Sequence, residues 1–506
     1  MTLLMQQLVN EINSIIWSPA LIFLCLGAGI FFSIRTRMMQ VRHFSEMWRL
    51  LMSGKSSEKG ISSFQALAVS LSGRVGAGNI AGVAAAIGFG GPGAIFWMWV
   101  VAFFGAATAY VESTLGQIYK EEHDGIYRGG PAYYIEKAMG QKWYAWIFAI
   151  ATIIATSICL PMVQSNTIGA AVEQVFGASE SLDTVLGTIS YSKIYTATAI
   201  VTLLGFIIFG GVKRIAHFTQ VVVPFMALIY ILISMVIIGL NIDQLPKVFM
   251  MIVGDAFTPL AGFGAAVGWG VKRGVYSNEA GQGTGPHAAA AAEVAHPAQQ
   301  GLVQALSVYI DTLFVCSATA FMILIVGAYN VHGLGETFII QNISTDVAAN
   351  SPAYTQIAVE HVFAGSGKPF VAVALFFFAF TTLLAYYFIA ENNIYYIKRT
   401  FKIPGALFVL KVVIVTTTFY GTIKAADVAW GMGDIGVGLM AWLNIIGVLI
   451  IFFMSKPAIK ALKDYEAQQQ AGVKEYSFDP LKLGIKNADF WVARLAAKKS
   501  NKPSES

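Results

Sequence analysis

Residues 73–80 read Gly-Arg-Val-Gly-Ala-Gly-Asn-Ile, three glycines with an arginine and an asparagine, inside an apolar stretch (62–89) long enough to cross a bilayer. Hydrocarbon offers no partner for a free N–H or C=O, so a helix breaks at mid-membrane only where protein or a water-filled cavity satisfies the backbone. Gly76, Gly78 and Gly82 lower the cost of non-helical backbone. Asn79 adds an amide that can both donate and accept. Unwinding there frees N–H groups at the start of the second half-helix, which suit a carboxylate, and carbonyls at the end of the first, which suit a cation. Gly78 and Gly82 also fit a small-xxx-small helix contact, a reading that leaves Arg74 and Asn79 unexplained.

The rest of the chain agrees with a membrane setting. Hydrophobic residues make up 56% of the 506, charged residues 12%, and the mean hydropathy is +0.64, against about 25% charged in soluble chains. Apolar runs fall at 14–34, 62–89, 93–117, 143–172, 193–211, 215–240, 254–284, 301–328, 368–397, 405–424 and 433–455, eleven expected spans. No basic region precedes the first run and no clean cleavage site follows it, so 14–34 reads as a retained helix. Cys25, Cys159 and Cys316 all lie in apolar segments and read as packing residues.

With the N-terminus outside, the cytoplasmic loops and tail hold 27 of the 33 Lys and Arg residues and the outer loops hold four, which predicts a cytoplasmic C-terminus. The net charge of +5 is then a matter of orientation in the bilayer, and nucleic-acid binding is not indicated. The expected organisation is an extra N-terminal helix with a basic loop (1–60), a first five-helix repeat (61–240), a second (241–455) and a tail (456–506). After about Tyr465 the tail is polar without apolar periodicity and reads as a solvated extension. Setting the first helix aside, the interrupted spans 62–89 and 254–284 are the first and sixth of ten, the pattern of an inverted repeat with its binding site between the halves.

Candidate site residues follow. In the second interruption, Pro259 to Gly270, Gly264 lets a ligand meet the backbone, while Phe263 and Trp269 could wall a pocket. The polar run after Lys272-Arg273 falls on the cytoplasmic side in this assignment and suggests an inner gate or hinge. Thr381 and Thr382 put paired hydroxyls in an aromatic helix after Phe378, and hydroxyls with backbone carbonyls are hard ligands for small cations. Gln164, after Pro161, is a buried amide that could hold the polar end of a substrate. Arg74 would cost ~2.5–3.5 kcal/mol at mid-bilayer unless paired or hydrated. It reads as a gate or structural ion pair, with Glu112, Asp311 and Glu391 as candidate partners. His287, Glu293 and His296 do not match the spacing of a metal-binding helix, so an enzyme is not indicated.

The runs Ser-Leu-Ser-Gly-Arg-Val-Gly-Ala-Gly-Asn-Ile-Ala-Gly-Val-Ala (70–84), Gly-Phe-Gly-Gly-Pro-Gly-Ala (88–94), Gly-Gly-Pro-Ala-Tyr-Tyr-Ile (129–135) and Gly-Val-Lys-Arg-Gly-Val-Tyr-Ser-Asn-Glu-Ala-Gly (270–281) resemble the alanine or glycine:cation symporter family. That family is similar in fold to the leucine-transporter group. The resemblance implies an all-α integral membrane protein of about eleven helices, an extra first helix plus a 5+5 inverted repeat with two broken helices. It also implies sodium-coupled uptake of a small neutral amino acid by alternating access across a cell inner membrane; no obligate protein partner is inferred from the sequence. The substrate would lie against Gly76, Ala77, Gly78 and Asn79, its carboxylate on the N–H groups of Ala77 and Gly78. Sodium would sit among the carbonyls of Ser72, Val75 and Phe378 and the hydroxyls of Thr381 and Thr382. The chain departs from the family at Ala77, where Thr is usual, and in its Gly-Gln-Gly-Thr-Gly-Pro-His run at 281–287. The rival readings are a proton-coupled carrier, a carrier of serine or glutamine, and an amino-acid sensor that binds without transport.

Overall fold

The structure is a computed structural model that describes residues 2–53, 57, 59–177, 180–184, 187–257, 262–333, 337–424 and 426–500. Its helices, in chain order, include α1 (Thr2–Ile16), α2 (Pro19–Arg35), α3 (Ser63–Arg74), α4 (Val83–Gly90), α5 (Gly93–Ile118), α6 (Leu160–Phe176), α7 (Phe263–Asn278), α8 (Gly285–Ala291), α9 (Pro297–Tyr309), α10 (Gly367–Lys398), α11 (Ala426–Ser455), α12 (Pro457–Gln470) and α13 (Asp489–Ser500). Eight helices among the described residues are long and apolar enough to cross a membrane, or nine if the bent pair 6–16 and 19–35 is one span. The interrupted helices fall outside that count because neither half is long enough alone. Burial separates core from rim: 78% of the apolar window of α10 is buried, against 28% for Tyr191–Ile208 and for Ala406–Ile423.

The first interruption lies where the glycines predict it. Ser62 and Gln65 cap α3 reciprocally, with Gln65 N to Ser62 Oγ at 3.1 Å and Ser62 N to Gln65 Oε1 at 2.9 Å. The helix ends at Arg74, and Val75 takes a non-helical φ/ψ of −78°/89°. The chain re-forms as a π-turn at Gly78–Gly82 and continues into α4.

The second interruption is not where it was expected. Phe263 to Gly270 is helical, the first half of α7, and residues 258–261 lie outside the described residues. The break comes after Asn278, where Glu279 (φ +56°), Gly281 (+85°) and Gly283 (+82°) take left-handed backbone before α8 begins with Pro286 in its first turn. Gly270 is a packing glycine, since a Cβ there would stand 2.5 Å from the Ala94 carbonyl of α5. Lys272 and Arg273 therefore lie within α7 and not in a cytoplasmic loop.

The two broken helices run antiparallel side by side. Ile61, before α3, bridges to Ala292, after α8. In the middle, Gly73 abuts the Glu279 carboxylate and Gly78 abuts Tyr276 and Ser277. At the other end Gly90 abuts Trp269 and the Ala265 carbonyl. Glycines permit these close approaches because a Cβ would meet the facing atoms at 3.0–3.3 Å.

The tail is folded and docked, against expectation. Tyr465, Phe478, Ile485 and Trp491 are buried. Trp491 Nε1 donates to the Gln117 carbonyl at 2.9 Å, and the Lys120 ammonium lies 4.3 Å from the Tyr127 ring and 4.6 Å from Phe490. Arg494 pairs with Glu293 (2.7 Å), and Glu466 accepts from Arg37, Arg42 and His43 at 2.7–2.9 Å. Isolated aromatics and charges carry this docking, so no apolar period advertises it.

Burial opposes the Glu466 charge, but the hydrogen bonds from His43 and Arg42 outweigh it and hold the carboxyl below its usual range. A depressed folded value contributes stability that is complete at neutral pH and lost as pH falls through the carboxylate range. Protease cutting of the tail in detergent is therefore expected to rise on acidification, and less so in Glu466→Gln. Trp491→Ala, a loss of about 3–5 kcal/mol for a buried tryptophan, is expected to expose the tail at neutral pH; unchanged cutting would show that the docking is not held by this side chain.

Candidate functional site

The break at Val75–Gly76 organises a set of buried polar atoms from neighbouring helices. In an unbroken helix Gly76 N–H would donate to the Ser72 carbonyl and Ala77 N–H to that of Gly73. Here Gly76 N donates to Asn79 Oδ1 at 2.8 Å and Ala77 N to Gln164 Oε1 of α6 at 2.9 Å. The Ser72 and Gly73 carbonyls thus lose their usual partners at the helix end. The Ser72 hydroxyl turns back to Val69 O at 2.7 Å.

The Thr382 hydroxyl of α10 closes over the same break. Its Oγ1 lies 2.9 Å from Phe378 O and 3.4 Å from Val75 O, and Thr381 Oγ1 lies 3.0 Å from Phe378 O. Val75, Phe378, Thr381 and Thr382 are thereby brought together, all fully buried. Neutral oxygens converging from an unwound stretch and a neighbouring helix form a donor set that fits a small hard cation. Gln164 Oε1 stands where a carboxylate oxygen would meet the Ala77 N–H. A Cβ on Gly76 would lie 2.5 Å from Thr382 Oγ1 and 2.8 Å from Gln164 Oε1, so only glycine fits between the two groups.

Asn79 stays at the break as a bridge, its Oδ1 on the Gly76 N–H and its Nδ2 2.7 Å from Asp311 Oδ1. Trp269, Gly264 and Phe263 sit elsewhere. Trp269 stacks on Phe89 (4.7 Å) and, with Gly264, lines a cavity of about 870 Å³ that also includes Gln6, Asn13 and Asn350. Its neighbour Gly90 lies fourteen residues past Gly76, on the order of 20 Å of helix from the break. The backbone of Phe263 opens α7, and its side chain lies outside the described residues.

Arg74 is fully buried and has no carboxylate within ion-pair distance among the described residues. It donates to the Ser307 hydroxyl and to the Gln304 carbonyl (3.2 Å), and its Nε and Nη2 have no hydrogen-bond partner among the described residues. Of its expected partners, Glu391 pairs with Arg128 (2.9 Å), while Glu112 accepts from Gly281 N, Gly283 N and Asn444. The acids whose charge reaches it are Glu279, Glu112 and Asp311.

The sequence reading missed the floor of the cavity. Arg273 forms a bidentate pair with Asp434 (2.9 Å for both contacts), and Lys272 reaches the same carboxylate at 2.7 Å. Trp430 lies 4.7 Å from the Arg273 guanidinium and 5.3 Å from the Tyr276 ring, which in turn abuts Gly78. This layer separates the cavity from the break. The available signal was Asp434, a lone carboxylate in an apolar run, matched by two basic residues in another.

The sequence profile of the sodium:alanine symporter family matches residues 1–480. The chain belongs to the sodium:alanine symporter family. Among its relatives, the putative sodium/proton-dependent alanine carrier protein YrbD of Bacillus subtilis (strain 168) is 55% identical over 96% of this chain and 98% of its own length. The sodium/proton-dependent alanine carrier protein of Bacillus sp. (strain PS3) is 49% identical over 88% and 97%. The sodium/alanine symporter AgcS of Methanococcus maripaludis is 36% identical over 88% and 94%. The protein is thus a multi-pass amino-acid symporter and not an enzyme.

In this symporter Gly76→Ala is expected to be made and folded yet to lose cation-dependent uptake by roughly tenfold to a hundredfold, from overpacking of about 1–3 kcal/mol. Near wild-type uptake would show that the Thr382–Gly76–Gln164 layer is not the working site. Asp434→Asn is expected to loosen the floor, so that in a background lacking Cys25 and Cys159 a small thiol reagent added on the cavity side labels Cys316 faster; unchanged labelling would show that this layer does not control access.

Proposed function

We propose that this symporter takes up a small neutral amino acid, alanine or glycine, together with sodium by alternating access. The observation that carries the reading is the Thr382 hydroxyl held against the Val75 and Phe378 carbonyls at the point where the first core helix breaks. Sodium takes the oxygens of Ser72, Val75, Phe378, Thr381 and Thr382. The substrate carboxylate displaces Gln164 Oε1 and accepts from the N–H groups of Ala77 and Gly78. Ion and carboxylate then share residues 75–78, and their attraction in a site shielded from water makes the binding of each favour the other.

The Arg273–Asp434 pair with Trp430 and Tyr276 acts as the outer gate. The antiparallel broken helices belong to two inverted halves, 61–240 and 241–455, the N-terminus faces outside and the tail is cytoplasmic, in keeping with the basic loops gathered around it. One Na⁺ crossing ~100 mV yields ~2.3 kcal/mol, and a tenfold gradient adds ~1.4 kcal/mol, enough for accumulation of a few hundredfold. A sensor has no support from the fold or the family, and serine and glutamine remain substrates to be compared.

The test is uptake of labelled alanine, glycine, serine and glutamine into proteoliposomes under an inward sodium gradient or with potassium in its place. Alanine or glycine accumulation that requires sodium, and is lost in Thr382→Ala, is expected. Binding without accumulation under any ion gradient would overturn the symport reading.

A further inference from the structure

We infer that Asp311 carries a coupling proton, taken up and released once per transport cycle alongside the sodium; this rests on the sodium symport reading above. Asp311 lies in a π-turn, Ile310–Cys316, that follows α9, and is fully buried. Its carboxylate ties the two broken helices to each other. Asn79, in the π-turn of the first, donates to its Oδ1 at 2.7 Å, and Ser277, in the last turn of α7, lies 3.1 Å from Oδ1 and 2.9 Å from Oδ2. Thr312 Oγ1 is 2.7 Å from Oδ2.

The chemistry of these partners suits a carboxyl proton. The amide of Asn79 is fixed in direction, because its Oδ1 accepts the Gly76 N–H and its NH₂ group must therefore point at Asp311. Oδ1 is therefore taken by a group that can only donate. Oδ2, in contrast, meets hydroxyls, from Ser277 and Thr312, and a hydroxyl donates to a carboxylate or accepts from a carboxylic acid by rotating its hydrogen. Both states of Asp311 are thus accommodated with no movement of heavy atoms. Glu112 differs: its partners, Gly281 N, Gly283 N and the Asn444 NH₂ group, can only donate, so none of them accepts a carboxyl proton.

Charge balance gives an independent reason. The charged and titratable groups acting on Asp311 are Arg74 from α3, Glu279 after α7 and Cys316 on its own turn; Glu112 from α5 acts on Arg74, and Tyr230 lies beside Cys316. Among the described residues this buried centre holds one cation among three carboxylates, an excess that low dielectric makes costly. A sodium ion and a proton together would neutralise it. The route for coupling is on the same atoms: Asp311 holds Asn79, Asn79 holds the Gly76 N–H, and Gly76 lies between Thr382 and Gln164. With the outer gate open, a proton from outside water binds Oδ2; with the inner side open, the same proton leaves to cytoplasmic water.

The experiment measures steady-state alanine accumulation in proteoliposomes under a fixed sodium gradient and clamped membrane potential, with and without an inward tenfold proton gradient. One coupled proton multiplies wild-type accumulation about tenfold, and Asp311→Asn is expected to show no such gain. Wild-type accumulation indifferent to the proton gradient, or a full tenfold gain in Asp311→Asn, would overturn the inference while leaving sodium symport standing. Absence of any sodium-driven accumulation in the wild type would instead overturn the reading beneath it. Should Asp311→Asn not accumulate at all, Thr312→Val and Ser277→Ala, which keep the acid and remove its proton acceptors, are expected to move the half-maximal external proton concentration by threefold or more; an unmoved value overturns the proposal.

Discussion

The structure depends on how one short stretch of backbone is satisfied. Where α3 ends at Arg74 the chain cannot look to water for its hydrogen bonds, so each freed N–H must find a protein acceptor. Asn79 and Gln164 supply these acceptors, from the next turn and from α6. Because side chains take the two N–H groups, the carbonyls that would have received them stay available. The same substitution of partners that makes the break tolerable thus leaves oxygens for a cation and places an exchangeable acceptor on the N–H that a carboxylate would claim.

The second broken helix holds the first in place and makes the arrangement movable. The contacts between them are glycine against side chain or backbone at both the middle and the far end, and the links across the middle include hydrogen bonds through Asp311. Small residues give close approach without interlocked side chains. Rearrangement of one broken helix against the other then involves the exchange of these polar contacts. On the side of the cavity of about 870 Å³, the layer of Arg273, Asp434, Trp430 and Tyr276 stands between that cavity and this centre.

Much of this was legible in the sequence, for reasons that differ by element. The first break could be read because Gly76, Gly78 and Asn79, set in an apolar run, weaken a continuous helix and supply the amide that an unwound backbone needs. The threonine pair could be read because hydroxyls are rare enough in so aromatic a helix to stand out. The second break was misplaced because glycine has two uses: Gly270 is there for contact with α5, whereas Gly281 and Gly283 are there for left-handed backbone, and composition does not distinguish them. Placing the break there puts Lys272 and Arg273 in a loop and not in α7, which hides the pair with Asp434. The amide of Asn79 is legible as a polar group at the break, whereas its bond to Asp311 depends on the three-dimensional position of that acid. The docked tail left almost no pattern, since Trp491 and Glu466 act through contacts hundreds of residues away in sequence.

The central claim is that a cation and a substrate carboxylate share the residues of one backbone break. Calorimetric titration of alanine into the purified protein at a series of sodium concentrations tests it most directly, because two ligands on one element must be thermodynamically coupled and reciprocally so. The account predicts that alanine affinity rises with sodium, that sodium affinity rises with alanine by the same factor, and that Thr382→Ala abolishes both effects. Alanine binding of equal strength with and without sodium in the wild type would contradict it.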